Sequence, residues 1–197
     1  MPRPRHSKQT EQSAAARLTQ LALDLYLEEG LAAVTFRKLA DRGGLSHTYP
    51  YRFFDNKAAL LLALRTLSSQ RFVAFVTAAD KPRRRPTDRL RLLARAMVRF
   101  ALEHPAEYEL IFSLEESSPD QFPELLAVRQ SLLEHVAGIA AQAVQRGDAD
   151  GDADLLAQLL WAGVHGIVSL HMGRQLVHGR SVETLLEPML DRLIGAS

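Results

Sequence analysis

Apolar residues recur at three- and four-residue steps along most of the chain, which is the spacing of one face of an α-helix. The clearest stripe near the N-terminus comprises Leu18, Leu21, Ala22, Leu25 and Tyr26. No segment of the sequence alternates between apolar and polar residues over the length of a strand. The pattern therefore predicts an all-α fold of about nine helices.

Turn and capping residues divide the first third of this pattern into short elements. The predicted boundaries are Gly30 as a stop, Thr35 as a cap, Gly43-Gly44 as a break, Ser46 as the cap of a short helix that runs to about Phe54, and Asp55 or Asn56 as the next cap. The order of helix, short helix, glycine-containing turn and short helix is typical of a helix-turn-helix.

Further along, the segment 81–86 holds two prolines and four cations, which predicts a surface loop. Later boundaries are set by Thr87 or Asp88, by Pro105, by Asp152 or Asp154, and by Ser181. The predicted helices beyond the loop are 87–104, 106–114, 123–145, about 153–178 and about 182–194. We divide the chain into a helix-turn-helix domain, 1–62, and a helical domain, 63–197.

A helix that enters the major groove must be short, begin with exposed polar groups and rest on an apolar back face. Ser46, His47, Thr48 and Tyr49 are hydrogen-bonding residues at the start of the predicted third helix, and Phe53 and Phe54 can brace it. Lys57 stands at the start of the next helix, where it and the free N–H groups can meet a phosphate. These positions predict binding to double-stranded DNA.

Charge and composition support a cytoplasmic DNA-binding protein. Residues 1–65 carry a net charge of +4 and residues 120–197 a net charge of −5, so only the N-terminal part of the chain is suited to bind a polyanion. The chain has no cysteine, which excludes disulfides and cysteine-based zinc sites. The basic start lacks the apolar run of a secretory signal. The apolar stretch 155–170 is shorter than a membrane span and contains His165.

The runs 35–40, 43–46 and 51–57 resemble the signature of TetR-type repressors, in which a Thr opens the second helix, a Gly-aliphatic-Ser turn follows, and Tyr, Phe and Lys recur at three-residue steps. The resemblance covers about residues 15–62. It implies that Arg37 contacts a base or phosphate, that His47, Thr48 and Tyr49 face base edges, and that Tyr51 and Lys57 hold phosphates. The full implied DNA-binding set is Arg3, Arg5, Arg37, Ser46, His47, Thr48, Tyr49, Tyr51, Arg52 and Lys57.

One residue departs from this pattern. Pro50 stands inside the predicted recognition helix, where the family usually has an aliphatic residue. Proline has no N–H to donate and is tolerated only in the first turn of a helix. We therefore expect a recognition helix that starts late or bends.

The C-terminal part resembles the Trp-His-Gly type of TetR domain, through the runs 161–170 and 104–112. This resemblance implies a homodimer in which the last two long helices form a four-helix bundle. The residues assigned to that interface are Gly163, Gly166, Leu170, Leu186 and Leu190. From the residues alone, the two glycines fit core packing as well as a dimer seam.

A small-molecule effector is expected between the helices of this domain, because large apolar side chains with a few polar neighbours can form a pocket. The candidate set is Met97, Phe100, His104, Tyr108, Phe112, Trp161 and His165, which fits an ordinary core equally well. No cofactor or metal is expected: the acidic run 148–154 fails the EF-hand spacing. Phosphate-binding and nucleophile motifs are missing from the sequence, which argues against an enzyme. The remaining alternative is a helical protein–protein adaptor.

Overall fold

The computed structural model describes residues 8–112 and 122–195. These two ranges contain eight α-helices and no strand, which confirms the all-α prediction. The helices are α1 (Lys8–Glu29), α2 (Phe36–Gly43), α3 (Lys57–Thr77), α4 (Pro86–Glu103), α5 (Pro105–Phe112), α6 (Pro123–Gln145), α7 (Ala153–Met172) and α8 (Val182–Ile194). Short 3-10 turns occupy Leu31–Ala33 and Pro50–Arg52.

The described chain forms two compact units, Met1–Ser68 and Ser69–Ser197, so that α3 begins in the first and ends in the second. Local capping explains the helix starts. Thr35 accepts a hydrogen bond from the backbone N–H of Lys38 at 3.2 Å, and Asn56 accepts one from Ala59 at 2.9 Å. Gly44 then ends α2 in the left-handed conformation, with φ of 62°.

The predicted third helix, 46–54, is wrong as an α-helix. Most of its backbone bonds run over three residues: the N–H of Tyr49 donates to the Ser46 carbonyl at 2.9 Å, and that of Arg52 donates to the Tyr49 carbonyl at 3.1 Å. Pro50 has no N–H with which to continue an α-helical pattern from Ser46, and its ring is buried against the unit. The segment is therefore a series of tight turns that ends in a 3-10 turn.

The core of the second unit lies mainly between α4, α6 and α7, with α8 packed on α7. Asp152 caps α7 by accepting from the N–H of Leu155 at 2.7 Å, and Ser181 and Thr184 form a capping box at α8. The predicted end of α7 near 178 is wrong. The helix stops at Met172, where the chain turns back and the N–H of Gln175 donates to the Leu170 carbonyl at 2.7 Å.

Two helices, α3 and α7, are long and apolar enough to pass a length-and-composition test for membrane spans, with mean hydropathies of 1.3 and 1.4. The core helices of water-soluble proteins pass the same test. One face of α7 is packed in the core of its unit through Leu156, Leu160, Val164 and Val168. Neither helix is a convincing membrane span.

Candidate nucleic-acid interface and effector site

The surface of the first unit that carries the predicted DNA contacts is formed by the turn segment 46–54, by the exposed side of α2 and by the start of α3. Ser46, His47 and Thr48 are exposed at the front, while Pro50 and Phe54 are buried behind them. The segment thus keeps a polar front and an apolar back although it is not an α-helix. Arg3 and Arg5, the predicted basic arm, lie outside the described residues.

Asp41 of α2 joins two of the predicted contact residues. Its carboxylate lies 2.8 Å from Nε2 of His47 and 4.0 Å from Nε of Arg37, one helical turn earlier. The Arg37 side chain is 83% exposed. Sequence reasoning missed Asp41, although its position four residues after Arg37 was a signal. The carboxylate can orient both side chains on the surface.

Aromatic rings support the basic residues of the turn segment. The Arg52 guanidinium lies 5.5 Å from the ring centroid of Tyr49 and 5.9 Å from that of Phe53. Tyr51 is 59% exposed and meets Phe36 of α2 edge-on, with ring centroids 4.4 Å apart. Packing therefore positions the side chains of Arg52 and Tyr51. The exposed Tyr51 side chain can offer its hydroxyl to a bound partner.

Lys57 is the first residue of α3 and is exposed. Asn56 occupies the capping position and satisfies the N–H of Ala59, while the ammonium group stands beside the positive end of the helix. Among the described residues, no ion pair involves Lys57. The arrangement suits an anion.

A cleft of about 360 Å³ also opens in this unit between the N-terminal half of α1 and the residues after α2. Its walls include Arg17 of α1 and Tyr49 of the turn segment, together with Leu18, Leu21 and Leu45. Arg17 was not among the predicted contacts. Its place next to the buried stripe that begins at Leu18 was the only sequence signal for it.

In the second unit, the structure brings six of the seven predicted effector residues into one aromatic cluster. Two phenylalanines of α3, Phe72 and Phe75, join it; sequence reasoning missed them. Phe72 contacts four other aromatic rings, with centroids 5.1 to 6.3 Å away. The predicted members are Phe100, His104, Tyr108, Phe112, Trp161 and His165.

The polar groups of this cluster are bonded to one another. The Tyr108 hydroxyl lies 2.8 Å from Nδ1 of His165, and the Ser169 hydroxyl lies 3.3 Å from its Nε2. Burial raises the pKa of Tyr108 and lowers the pKa of His165, so both are neutral near pH 7. The Glu107 carboxylate is buried nearby and is paired with Arg71 at 3.2 Å.

Met97, the seventh predicted effector residue, lines a small cavity of about 20 Å³, which Trp161 also borders. The other predicted effector residues do not line it. The full set of lining residues is Leu90, Leu93, Ala94, Met97, Leu132, Leu133, Val136, Ala157, Leu160, Trp161 and Val164. The cavity lies between α4, α6 and α7.

The predicted dimer residues fall into two groups. Leu170 is 41% exposed on α7, and a Cβ atom added at Gly166 would meet nothing within 4 Å. By contrast, Leu186 and Leu190 of α8 are buried in the core of their own chain. A Cβ atom at Gly163 would collide with Sδ of Met189, so this glycine leaves room for that side chain of α8.

Further buried charge lies at the junction of α3 with α4. Asp80 receives two hydrogen bonds of 2.8 Å from Nε and Nη2 of Arg89, and His135 approaches the same carboxylate at 3.1 Å. Arg89 also donates to Gln142 at 2.7 Å. Within the described ranges, no cluster of three or more acidic or histidine side chains forms a metal site.

Comparison with known proteins agrees with these features. A model of bacterial regulatory proteins of the tetR family matches residues 18–64, and a model of the Tetracyclin repressor-like C-terminal domain matches residues 90–193. No curated protein matches the chain. A solved protein of unknown function from Rhodococcus sp. RHA1 is 26% identical, with a TM-score of 0.78 over 98% of this chain and 97% of that one.

Two further solved structures share the fold. A tetR-family regulatory protein from Rhodococcus RHA1 is 24% identical, with a TM-score of 0.66 over 93% of this chain and 98% of that one. The transcriptional regulator FadR from Bacillus subtilis, in complex with stearoyl-CoA, is 18% identical, with a TM-score of 0.70 over 92% and 98%. Since one family model alone spans more than half of the sequence, the chain belongs to the TetR family of bacterial transcription regulators.

Proposed function

We propose that the protein is a cytoplasmic, homodimeric repressor that binds a palindromic DNA operator and responds to a small-molecule effector. The family places it among non-enzymatic transcription factors with an N-terminal DNA-binding domain. The observation that carries the proposal is the polar front of 46–48 on the buried pair Pro50 and Phe54. A surface of this kind suits a groove of DNA, where hydrogen-bonding groups must face outward without exposing the apolar support.

In this proposal the contacts divide by chemistry. Ser46, His47 and Thr48 read base edges, because they are exposed and can donate or accept hydrogen bonds. Tyr49 is half-buried under the guanidinium of Arg52, so we assign it chiefly to positioning that cation. A second group contacts phosphates, which fix the register of the protein on DNA without reading its sequence. This group comprises Arg37, Tyr51, Arg52 and Lys57, with Arg17 of the cleft.

The second copy would pack on the exposed face of α7. Leu155, Leu159 and Leu170 are 58%, 45% and 41% exposed on this helix, and Gly166 leaves room beside them for another helix. Such a contiguous apolar stripe is a common mark of a protein interface. Because Leu186 and Leu190 are covered by their own chain, α8 would contribute its outer side, around Pro188 and Arg192, instead.

The effector would bind in the second unit, near the small cavity between α4, α6 and α7 and the aromatic cluster. FadR, which shares this fold, was solved in complex with stearoyl-CoA, which supports a response of this protein to a small molecule. Effector binding releases DNA only if it favours a conformation in which the two reading heads no longer match successive major grooves, about 34–36 Å apart.

The test begins with selection of bound fragments from a random pool of DNA duplexes by the purified full-length protein. We expect a palindrome with two half-sites about one helical turn apart, and a dimer in sedimentation analysis. The binding constant should fall steeply with salt, because phosphate contacts release counterions. Failure to retain any duplex at low ionic strength would overturn the proposal and favour the adaptor alternative.

Lys57→Ala gives the residue-level test. Loss of one phosphate contact per protomer should weaken binding to specific and unrelated duplexes alike and lower the salt slope by about one unit per protomer. Lys81→Ala is the matched control, because Lys81 is an exposed lysine in the loop before α4. Equal effects of the two substitutions would remove Lys57 from the contact set.

A further inference from the structure

The small cavity between α4, α6 and α7 has walls of one chemical character. Its eleven described lining residues are leucine, alanine, valine, methionine and tryptophan, contributed by α4, α6 and α7. None of them carries a charge, and the only side-chain hydrogen-bonding group among them is the indole N–H of Trp161. An ionised group placed there would lose its hydration without gaining a partner.

The cations of α4 and α6 nearest in sequence to these walls have partners elsewhere, and on α6 Arg129 donates from Nη2 to the Ile111 carbonyl at 2.7 Å. On α4, Arg89 is bound to Asp80 at 2.8 Å, Arg91 to Asp191 at 2.7 Å and Arg95 to Glu187 at 2.7 Å. Arg99 lies over the ring of Phe75, at 4.8 Å, on the exposed side of the helix. None of these cations is among the residues that line the cavity, so an acidic ligand there would meet no charged group in the wall.

The closest polar cluster is also satisfied internally. Tyr108 and His165 are hydrogen-bonded to each other at 2.8 Å, and Ser169 approaches the second nitrogen of the imidazole. A ligand that competed for this pair would have to break an existing buried bond and supply an equal one. The pair gives no advantage to a polar ligand over an apolar one.

The present volume of about 20 Å³ holds little more than one water molecule. A ligand must therefore enlarge the cavity by moving side chains. Met97 has an unbranched, flexible side chain, and Leu133 and Trp161 are only partly buried. These three residues form the part of the wall that can move with the least loss of packing.

We propose that this cavity is the effector site and that it selects an uncharged, apolar molecule, a hydrocarbon or a neutral aromatic compound, which enters by displacing Met97, Leu133 and Trp161. The proposal rests on the function proposed above, because it names the class of the effector. It differs from the candidate set predicted from sequence, of which only Met97 and Trp161 line this cavity and which also included His104 and His165. An acidic or basic effector would find no partner here.

Trp161 is the only tryptophan of the chain, so its fluorescence reports on the cavity directly. We would titrate the free full-length protein with three ring-matched probes: toluene, benzoate and benzylammonium. Toluene should change the emission and saturate, and both ions should bind at least ~100-fold more weakly because they would be buried without a counter-charge. Binding of either ion as tight as that of toluene would overturn the proposal.

Ala157→Leu locates the site, because Ala157 is 1% exposed and lines the cavity. The larger side chain should fill the space and reduce toluene affinity at least ~10-fold. Ala127→Leu makes the same change at an exposed position of α6 and should leave toluene affinity unchanged. Ala157→Val, a smaller change, replaces the first variant if that one fails to fold. Undiminished toluene binding in a folded cavity variant would contradict the assignment.

These titrations contain no DNA, so they are independent of the regulatory proposal. In a separate measurement, the selected duplex would be titrated with protein that is saturated with toluene. Toluene binding with unchanged DNA affinity would contradict the effector role while leaving the chemistry of the cavity intact. Absence of toluene binding in a protein that still binds its duplex would instead overturn the cavity proposal alone.

Discussion

Removal of the Asp80 charge should destabilise the second unit strongly. The side chains of Asp80 and Arg89 are only 8% and 10% exposed, and two hydrogen bonds of 2.8 Å join them in a fork. Asp80→Asn keeps the shape but leaves the guanidinium buried with Gln142 as its remaining described partner. Loss of one member of a buried ion pair costs about 3–5 kcal/mol, and the amide oxygen of Asn retains part of the bonding, so we expect about 3 kcal/mol.

Urea unfolding followed by far-UV circular dichroism measures this loss as a shift in the midpoint at unchanged slope. The control is Glu103→Gln, which removes the partner of Arg99 from a pair 4.0 Å apart whose side chains are 52% and 58% exposed. Solvent screens such a pair, so the control should lie within about 0.5 kcal/mol of the parent. If Asp80→Asn cost no more than this control, the buried network would not stabilise the unit as argued.

The same pair predicts the effect of pH. The hydrogen bonds from Arg89, against the opposing effect of burial, lower the pKa of Asp80 in the folded state. The unfolded chain then takes up the proton first, near its ordinary pKa of about 3.9. The stabilisation is fully present above that pH and is lost as the pH falls through the lower, folded-state pKa. The difference between parent and Asp80→Asn should therefore shrink as the pH falls below about 4.

Two further predictions concern α7 and the turn segment. Gly163→Ala should be less stable than Gly166→Ala in thermal unfolding by up to about 1 kcal/mol, because only the former Cβ collides with Sδ of Met189, and that flexible side chain can shift. Gly166→Ala should instead weaken dimerisation, and the reverse order would contradict the assignment of the two glycines. Pro50→Leu restores an N–H that can donate toward the Ser46 carbonyl, so the backbone chemical shifts of residues 46–54 should become α-helical and the selected operator should change. Unchanged shifts would show that proline does not cause the turn geometry.

Much of the fold could be predicted because its helix boundaries are set locally. Thr35, Asp152 and Ser181 each accept a hydrogen bond from an N–H three residues later, and such caps need only a short polar side chain at the right place. The end of α7 was harder. Both Gly173 and Gly179 are potential stops, and apolar residues continue between them, so the sequence alone did not show that the helix ends at the first.

The candidate sites were less predictable because they depend on which elements meet. Tyr108, Trp161 and His165 belong to one candidate set predicted from sequence. The structure brings their rings into one cluster, with Tyr108 on α5 and the other two on α7. The sequence could not reveal that Phe72 of α3 stands at the centre of that cluster, or that the cavity faces α6. Leu186 was predicted to lie at the dimer interface, but it is buried within its own chain.

The two glycines of α7 show how a small rotation separates such roles. A residue three positions further along a helix is turned by about 300°, so Gly163 and Gly166 stand about 60° apart on its surface. Relative to Leu159, Gly163 lies about 40° to one side, toward α8, and Gly166 lies about 20° to the other. The first is therefore enclosed by Met189, whereas the second remains open beside Leu170. A partner helix that packs on this stripe would meet the open glycine without disturbing the contact between α7 and α8, so the proposed dimer can form without rearrangement of either protomer.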